Sequence, residues 1–227
     1  MNDSRRDFLK KAALLSGAFA APNIIPMSIQ KAMAIDPAAG STFYDAEHVV
    51  FLMQENRSFD HMFGKLRGVR GFNDPRMKTL HDGNKVWLQK DGKGSTYAPF
   101  HIDINKTKIS WQGGLPHSWK DQTEARNKGK YDQWVPVKSD MALGYYQRED
   151  IPFYYAFADA FTICDHHFCS SLTGTTPNRL FHFTGNVRPQ LDDQVNAVVV
   201  NEQADSTINE YVDWETVPEL LEDHGIS

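Results

Sequence analysis

The sequence predicts an α/β fold with a mostly parallel central sheet, because three short apolar runs alternate with segments of helical pattern. The runs are "HVVFLM" at 48–53, "FTIC" at 161–164 and "NAVVVN" at 196–201. Short runs rich in β-branched and aromatic residues are typical of strands covered on both faces. Helices on both faces of such a sheet make a three-layer sandwich.

The segment before the first run, residues 1–34, has the features of a twin-arginine export signal. "SRRDFLKKAALLSGAFAA" joins Arg5 and Arg6 to a short apolar stretch, and "AMA" at 32–34 offers a small-residue cleavage site. An amphipathic first helix is the alternative interpretation. We predict export by the twin-arginine machinery to the periplasm or beyond, with residues 35–227 as the mature part. Export after folding suits a chain that acquires a metal.

Charge and hydropathy exclude several partners. Removing the leader takes away five basic and two acidic residues, so the formal charge moves from −5 to −8 and a nucleic-acid surface is disfavoured. Beyond the leader no apolar stretch approaches the roughly 20 residues of a membrane span, so any lipid contact is expected to be peripheral. Cys164 and Cys169 are the two cysteines, which allows one disulfide at most.

The helices are predicted from their ends. Residues 65–148 show little periodicity and are expected to form long loops, whereas "DIPFYYAFADAF" places Pro152 at a helix start. "TTPNRLFHFTG" has Thr176 as the expected N-cap and Gly185 as the stop. "TVPELLEDHG" has Thr216 and Gly225 in the same positions. A next strand would follow there, so we expect the N-terminal part of a longer chain.

The first polar cluster, "QENRSFDH" at 54–61, follows the first apolar run directly. Ligands gather at the carboxyl ends of parallel strands, and Glu55 and Asn56 supply the hard oxygen atoms that Mg²⁺, Ca²⁺ or Mn²⁺ prefer. The alternative is a surface ion pair between Glu55 and Arg57, with Ser58 capping a short helix. By spacing alone the two interpretations are equally good.

The second cluster, "CDHHFCSSLTGTTPNR", follows "FTIC". A threonine hydroxyl at a helix N-terminus lies where a phosphate binds and where a metal can lower the pKa of the hydroxyl. Thr173, Thr175 and Thr176 are equal candidates on this reasoning, and simple capping is the alternative. His117, in "LPHSW", is a loop histidine able to donate to a phosphate oxygen, and a purely structural role is the alternative. "CDHHFC" lacks the paired spacing of a zinc module, so packing is favoured over zinc.

Long blocks of the sequence resemble the bacterial secreted phospholipase C family, which includes related acid phosphatases. They are the leader "SRRDFLK", "HVVFLMQENRSFDHMFGKLRGVRGFNDP", "DIPFYYAFADAFTICDHHFCSSLTGTTPNRLFH" and "VDWETVPELLEDHGI". The resemblance implies an alkaline phosphatase-like fold, a divalent metal ion and a phospholipid substrate at a membrane surface. It also implies that the chain is the N-terminal part, since an acidic and histidine-containing "DE..GGFYDH"-like stretch of the family has no counterpart here.

The resemblance also implies residue roles. Glu55, Asn56 and Thr175 become metal ligands, Thr175 becomes the nucleophile because counting back from "PNR" places it at the family's hydroxyl position, and His117 becomes a contact to the phosphoryl oxygens. Cleavage of phosphatidylcholine or sphingomyelin to phosphocholine is the implied reaction. Two alternatives stay open: a phosphomonoesterase, and an inactive fragment that binds lipid or a partner. An aromatic cage for choline would favour the lipase, and its candidates are Trp111, Trp119, Trp134, Tyr145 and Tyr146, for which ordinary core packing is the alternative.

Overall fold

The computed structural model describes residues 25–36, 38–107, 113–188, 197–202 and 214–226. Helices and two small sheets alternate along the described chain, which is the mixed helix and strand content of an α/β protein. The chain divides into two compact units. Among the described residues, the first comprises 25–36, 38–74, 101–107 and 145–165, and the second comprises 75–100, 113–144, 166–188, 197–202 and 214–226.

The first unit is built mainly from helices. Helix α1 (Met27–Ala34) contacts α6 (Pro152–Ala160) and buries Ile29, while α2 (Phe59–Phe63) begins at the N-cap Ser58, whose hydroxyl accepts from the N–H of His61. A short 3₁₀ turn covers Phe43–Asp45, and α3 spans Ile104–Thr107. This unit also holds the His101 end of β3 (Phe100–His101) and the Tyr145 end of β4 (Gly144–Tyr145), where the N–H of Ile102 donates to the Tyr145 carbonyl at 2.8 Å.

The second unit contains the loops and helices that carry the second polar cluster from His166 onward. Strands β1 (Gln89–Lys90) and β2 (Thr96–Tyr97) pair antiparallel. Its helices are α4 (Trp119–Arg126), α5 (Trp134–Lys138), α7 (Thr175–Thr184) and α8 (Val217–Asp223), with 3₁₀ turns at Asn127–Gly129 and Asp140–Leu143. The side chain of Gln89 ties β1 to α5 by donating to the Tyr131 carbonyl and accepting from the N–H of Trp134.

The three predicted strands are wrong for the described residues. Residues 48–53 and 161–164 are assigned to no strand, nor are the described residues of 196–201, which begin at 197. Val50 and Phe51 are 88% and 74% exposed, although their apolar character predicted burial on both faces. A parallel strand forms its hydrogen bonds with segments that are distant in sequence. An apolar run therefore shows that a segment offers apolar surface for burial, but it does not show that a neighbouring strand is present. A mostly parallel sandwich is not seen in this part of the chain.

The predicted helix ends agree with the structure better than the predicted strands do, because the residues that end a helix act locally. Pro152 begins α6, and Gly185 follows α7 with a φ of 71°. The Thr216 hydroxyl accepts from the N–H of Glu219 at the start of α8. One cap is wrong: α7 begins at Thr175 with Gly174 as N-cap, so Thr176 lies inside the first turn.

None of the helices that the structure describes is long and apolar enough to span a membrane. The two cysteines, Cys164 and Cys169, are free thiols and are exposed.

Asp150 anchors the first unit through a buried carboxylate. Its side chain is 1% exposed and accepts from the ring of His101 at 2.7 Å and from the N–H groups of Gln147 at 2.7 Å and Ile104 at 3.1 Å. Burial alone would raise the pKa of Asp150, but these hydrogen bonds outweigh it and hold the pKa below its ordinary value.

Asp150→Asn is therefore expected to destabilise the chain by about 1–3 kcal/mol at neutral pH. Because the folded-state pKa lies below the unfolded value of about 3.9, the carboxylate stabilises the fold above about pH 4 and this contribution is lost as the pH falls through the folded pKa. Urea unfolding at neutral and acidic pH tests this. The loss of stability on acidification should be smaller in Asp150→Asn than in the exposed control Asp140→Asn. An equal loss in both would contradict this role for Asp150.

Candidate active site

The loop that carries His117 is held at both of its ends. Ser118 caps α4: its hydroxyl accepts from the N–H of Asp121, and the Asp121 carboxylate accepts from the N–H and hydroxyl of Ser118 at 2.9 and 2.7 Å. On the other side, Nδ1 of His117 lies 2.5 Å from the Leu115 carbonyl oxygen. Since a carbonyl only accepts, Nδ1 carries the hydrogen, and in the neutral ring Nε2 then carries the lone pair.

The turn that precedes α7 is fixed by one side chain, Asn178. Its Oδ1 accepts from the N–H of Ser171 at 3.1 Å. Its Nδ2 lies 3.2 Å from the Ser171 carbonyl, 3.3 Å from that of Thr173 and 2.9 Å from that of Gly174. Because Asn178 lies one helical turn after Gly174, its amide reaches back over the start of its own helix. The backbone leading into Thr175 is therefore set by the helix that Thr175 begins.

A second asparagine, Asn201, supplies the cap that Gly174 cannot provide. Its Oδ1 accepts from the N–H of Thr176 at 2.9 Å, which satisfies one of the unpaired donors of the first helical turn. A Cβ built on Gly174 would lie 2.8 Å from this Oδ1 and 3.2 Å from Cγ and Nδ2 of Asn201. Glycine at 174 therefore allows the capping amide to approach the helix start.

The three candidate threonines differ in their surroundings. Thr173 is buried, 8% exposed, and its hydroxyl donates to the Val199 carbonyl. Thr176 has its N–H bound by Asn201, and Thr175 is the first residue of α7 and half-buried. The Thr173 hydroxyl is thus committed to a structural bond, and Thr175 lies at the position where the helix dipole is most positive.

A cavity of about 540 Å³ in the second unit joins these features. His117 and Ser118 line it from the loop, and Thr173 and Gly174 line it from the turn before α7. The other lining residues are Gly114, Leu115, Pro116, Trp119, Asp121, Val200, Asn201 and Glu202. Two regions more than 50 residues apart in sequence thus meet at one cavity, with His117 and the N-cap of α7 in its wall. Thr175 itself is not among the lining residues.

The first polar cluster lies in the other unit. Glu55 and Asn56 are both exposed, and the Asn56 carbonyl accepts from Nη1 of Arg57 at 2.8 Å. The cap predicted at Ser58 is confirmed. The metal-ligand roles of Glu55, Asn56 and Thr175 and the catalytic roles of Thr175 and His117 stay predictions.

The candidate residues for a zinc site and for a choline cage lie in several parts of the described chain. No group of three or more His, Cys, Asp or Glu side chains able to hold a metal occurs among them, so "CDHHFC" makes no such cluster. Asp165 of that segment accepts from the N–H of Arg70 at 2.8 Å. Of the five aromatic candidates, Trp111 lies outside the described residues, Trp119 lines the cavity, and Trp134 stacks on Tyr131. Tyr145 and Tyr146 belong to the first unit.

Sequence reasoning missed the two asparagines. Asn178 carried a usable signal, since its spacing of four from Gly174 lets an amide reach the preceding turn. Asn201 carried none, because its contact with α7 spans 25 residues of sequence.

A histidine and the residues just before a helix N-terminus line this cavity, and hydrolases that act on esters use both kinds of group to bind oxyanions. A model of the phosphoesterase family matches residues 46–227, and the chain belongs to this family.

Individual relatives are similar over the whole chain. The non-hemolytic phospholipase C of Pseudomonas aeruginosa is 45% identical over 230 residues, covering 100% of this chain and 33% of that protein. The non-hemolytic phospholipase C of Burkholderia pseudomallei is 46% identical over 231 residues, covering 100% of this chain and 31% of that protein. Phospholipase C A of Mycobacterium tuberculosis is 37% identical over 238 residues, covering 99% of this chain and 44% of that protein. The chain thus spans less than half the length of each.

Proposed function

We propose that the chain is the N-terminal part of a phospholipase C catalytic domain that hydrolyses phosphatidylcholine or sphingomyelin to phosphocholine and diacylglycerol or ceramide. The observation that carries the proposal is the cavity lined by both His117 and the turn before Thr175. The names of the similar proteins support the diester substrate. For the complete domain we keep the three-layer, mostly parallel sandwich as part of the proposal.

In the proposed reaction Thr175 is the nucleophile. Its Oγ attacks phosphorus, the bond from phosphorus to the lipid oxygen breaks, and the threonine proton ends on the leaving oxygen. Water then attacks the phosphocholine ester of Thr175, releases phosphocholine and returns a proton to the hydroxyl. The positive N-terminal end of α7 stabilises the negative charge that develops on the equatorial oxygens of the phosphoryl group.

His117 is proposed to contact a phosphoryl oxygen. Because the Nδ1 hydrogen is directed to the Leu115 carbonyl, only the imidazolium form can also donate from Nε2. The contact would therefore be made through Nε2, in a cavity whose wall also includes the carboxylates of Asp121 and Glu202.

The donor chemistry fits a divalent cation. Glu55, Asn56 and Thr175 offer a carboxylate, an amide and a hydroxyl oxygen, which suit Mg²⁺, Ca²⁺ or Mn²⁺. These ions take six or more ligands, so the three residues would supply part of the coordination shell. A bound cation would lower the pKa of the Thr175 hydroxyl and polarise the phosphoryl group.

The test compares two substrates on the purified 227-residue chain with each cation added after chelation. Phosphocholine release from phosphatidylcholine or sphingomyelin vesicles, faster than hydrolysis of an aryl phosphate and abolished by chelation, is the expected result. Turnover of the aryl phosphate alone would establish the phosphomonoesterase instead. A cooperatively folded chain that turns over neither substrate would identify an inactive fragment and overturn the proposal.

Export by the twin-arginine route is the second part of the proposal. Residues 1–24 of the leader lie outside the described residues, so its support is the sequence "SRRDFLK". Replacing Arg5 and Arg6 together by Lys should retain the chain in the cytoplasm of its host. Unchanged appearance in the periplasm or medium would contradict this route.

A further inference from the structure

Lys138 is a buried cation at the end of α5. The residue is only 6% exposed. An ammonium group taken out of water is costly unless it finds acceptors. Its Nζ donates to the Pro116 carbonyl at 2.6 Å and lies 5.7 Å from the centroid of the Trp134 ring. Burial lowers the pKa of Lys138, and the Asp121 carboxylate partly opposes this.

The acceptor is the carbonyl of the peptide bond that joins Pro116 to His117. The ammonium therefore holds the peptide unit on the N-terminal side of His117. Ser118 and Asp121 hold the C-terminal side through the cap of α4, and the Leu115 carbonyl holds the ring itself. Of these three anchors, Lys138 is the one contributed by a separate helix.

The loop before His117 is partly exposed, with Gly114 and Pro116 at the surface. Gly114, Leu115 and Pro116 line the 540 Å³ cavity and also a second cavity of about 770 Å³, whose wall includes Lys138. The segment thus borders open space in two cavities, where side-chain contacts are missing. A charged hydrogen bond to a backbone carbonyl, which is stronger than a neutral one, is what fixes it there.

We propose that Lys138 is a positioning residue for His117: it fixes the Pro116–His117 peptide so that the ring keeps its bond to the Leu115 carbonyl and its place in the 540 Å³ cavity. Lys138 acts through the loop and does not contact the substrate. The effect on turnover rests on the proposed function, whereas the effect on the ring does not.

The experiment uses the 227-residue chain with ¹⁵N-labelled histidine, and compares Lys138→Met with Lys138→Arg and Lys93→Met. Lys93 lines the same second cavity but is exposed, so it is the matched control for loss of a lysine charge. Ring ¹⁵N shifts should show the Nδ1–H tautomer of neutral His117 in wild type and Lys93→Met. Lys138→Met should give a tautomer mixture, and Lys138→Arg should restore most of the wild-type signal.

Turnover gives the second measurement. Lys138→Met should lower kcat by between roughly 10- and 100-fold with little change in KM, as expected for a misplaced group, and should have no further effect in a His117→Ala background.

Unchanged His117 shifts in folded Lys138→Met would overturn the proposal. So would equal kcat losses with and without His117. If Lys138→Met does not fold, the Lys138→Leu variant, which also lacks a donor, replaces it, and His117 shifts that match wild type there overturn the proposal equally. If the His117 ring shifts change in Lys138→Met while the wild-type chain is inactive on all substrates, the positioning role stands and only the proposed function is rejected.

Discussion

Replacing Thr175 by Ala is expected to lower phosphodiester turnover by roughly 10⁴-fold, because the proposed reaction then has no nucleophile. Thr175→Ser keeps a hydroxyl and should retain measurable turnover. Thermal unfolding of Thr175→Ala should resemble wild type, since Thr175 is the first residue of α7 and its N-cap is Gly174. Steady-state assays on phosphatidylcholine vesicles, with an unfolding curve for each variant, check both statements.

The neighbouring threonines are the matched controls. Thr176→Ala keeps the hydrogen bond from the backbone N–H of residue 176 to Asn201, and this variant should keep most of the turnover. Thr173→Val removes the buried hydroxyl that donates to Val199 and should lower stability more than it lowers kcat per folded molecule. If Thr176→Ala rather than Thr175→Ala abolished turnover, the nucleophile would be reassigned by one residue.

Asn178→Ala is expected to lower both stability and turnover. It removes the amide that contacts four backbone groups of residues 171–174, so we expect a loss of about 2–3 kcal/mol in the free energy of unfolding. The released turn should misplace Thr175 and lower kcat by roughly 10²-fold, with KM less affected. Chemical unfolding and assays below the unfolding transition measure the two effects.

Two further variants make the Asn178 result specific. Asn178→Asp keeps the acceptor for the N–H of Ser171 but directs a carboxylate at three carbonyl oxygens, so it should be no better than Ala. Phe183→Ala changes an exposed side chain of the same helix and should leave kcat unchanged. A normal kcat in folded Asn178→Ala would show that the turn keeps its geometry without the amide.

What the sequence predicted correctly depends on local chemistry. The start of α6 at Pro152 and the cap of α8 by Thr216 follow from residues within one turn of each other. The predicted cap of α7 is wrong because a threonine is the commoner N-cap residue, whereas the N-cap here is Gly174 and the capping oxygen belongs to Asn201. Nothing near residue 176 encodes a partner 25 positions away.

The strands were misassigned for a related reason. The run at 48–53 has the composition of a central strand, but its residues from Val49 to Met53 are 41–88% exposed. Composition reports how much apolar surface a segment offers, whereas strand formation depends on neighbours elsewhere in the chain. The contact between Lys138 and Pro116 could not be predicted for the same reason. The two residues are 22 positions apart, and no spacing rule connects them.

The most direct test of the account is to trap the covalent intermediate. The chain is mixed with phosphatidylcholine, quenched with acid before steady state, and mapped by peptide mass spectrometry. The account predicts a phosphocholine ester on Thr175 that is absent from Thr175→Ala and disappears as the reaction ends. An adduct on His117 or another residue, or burst turnover without any adduct, would contradict the account.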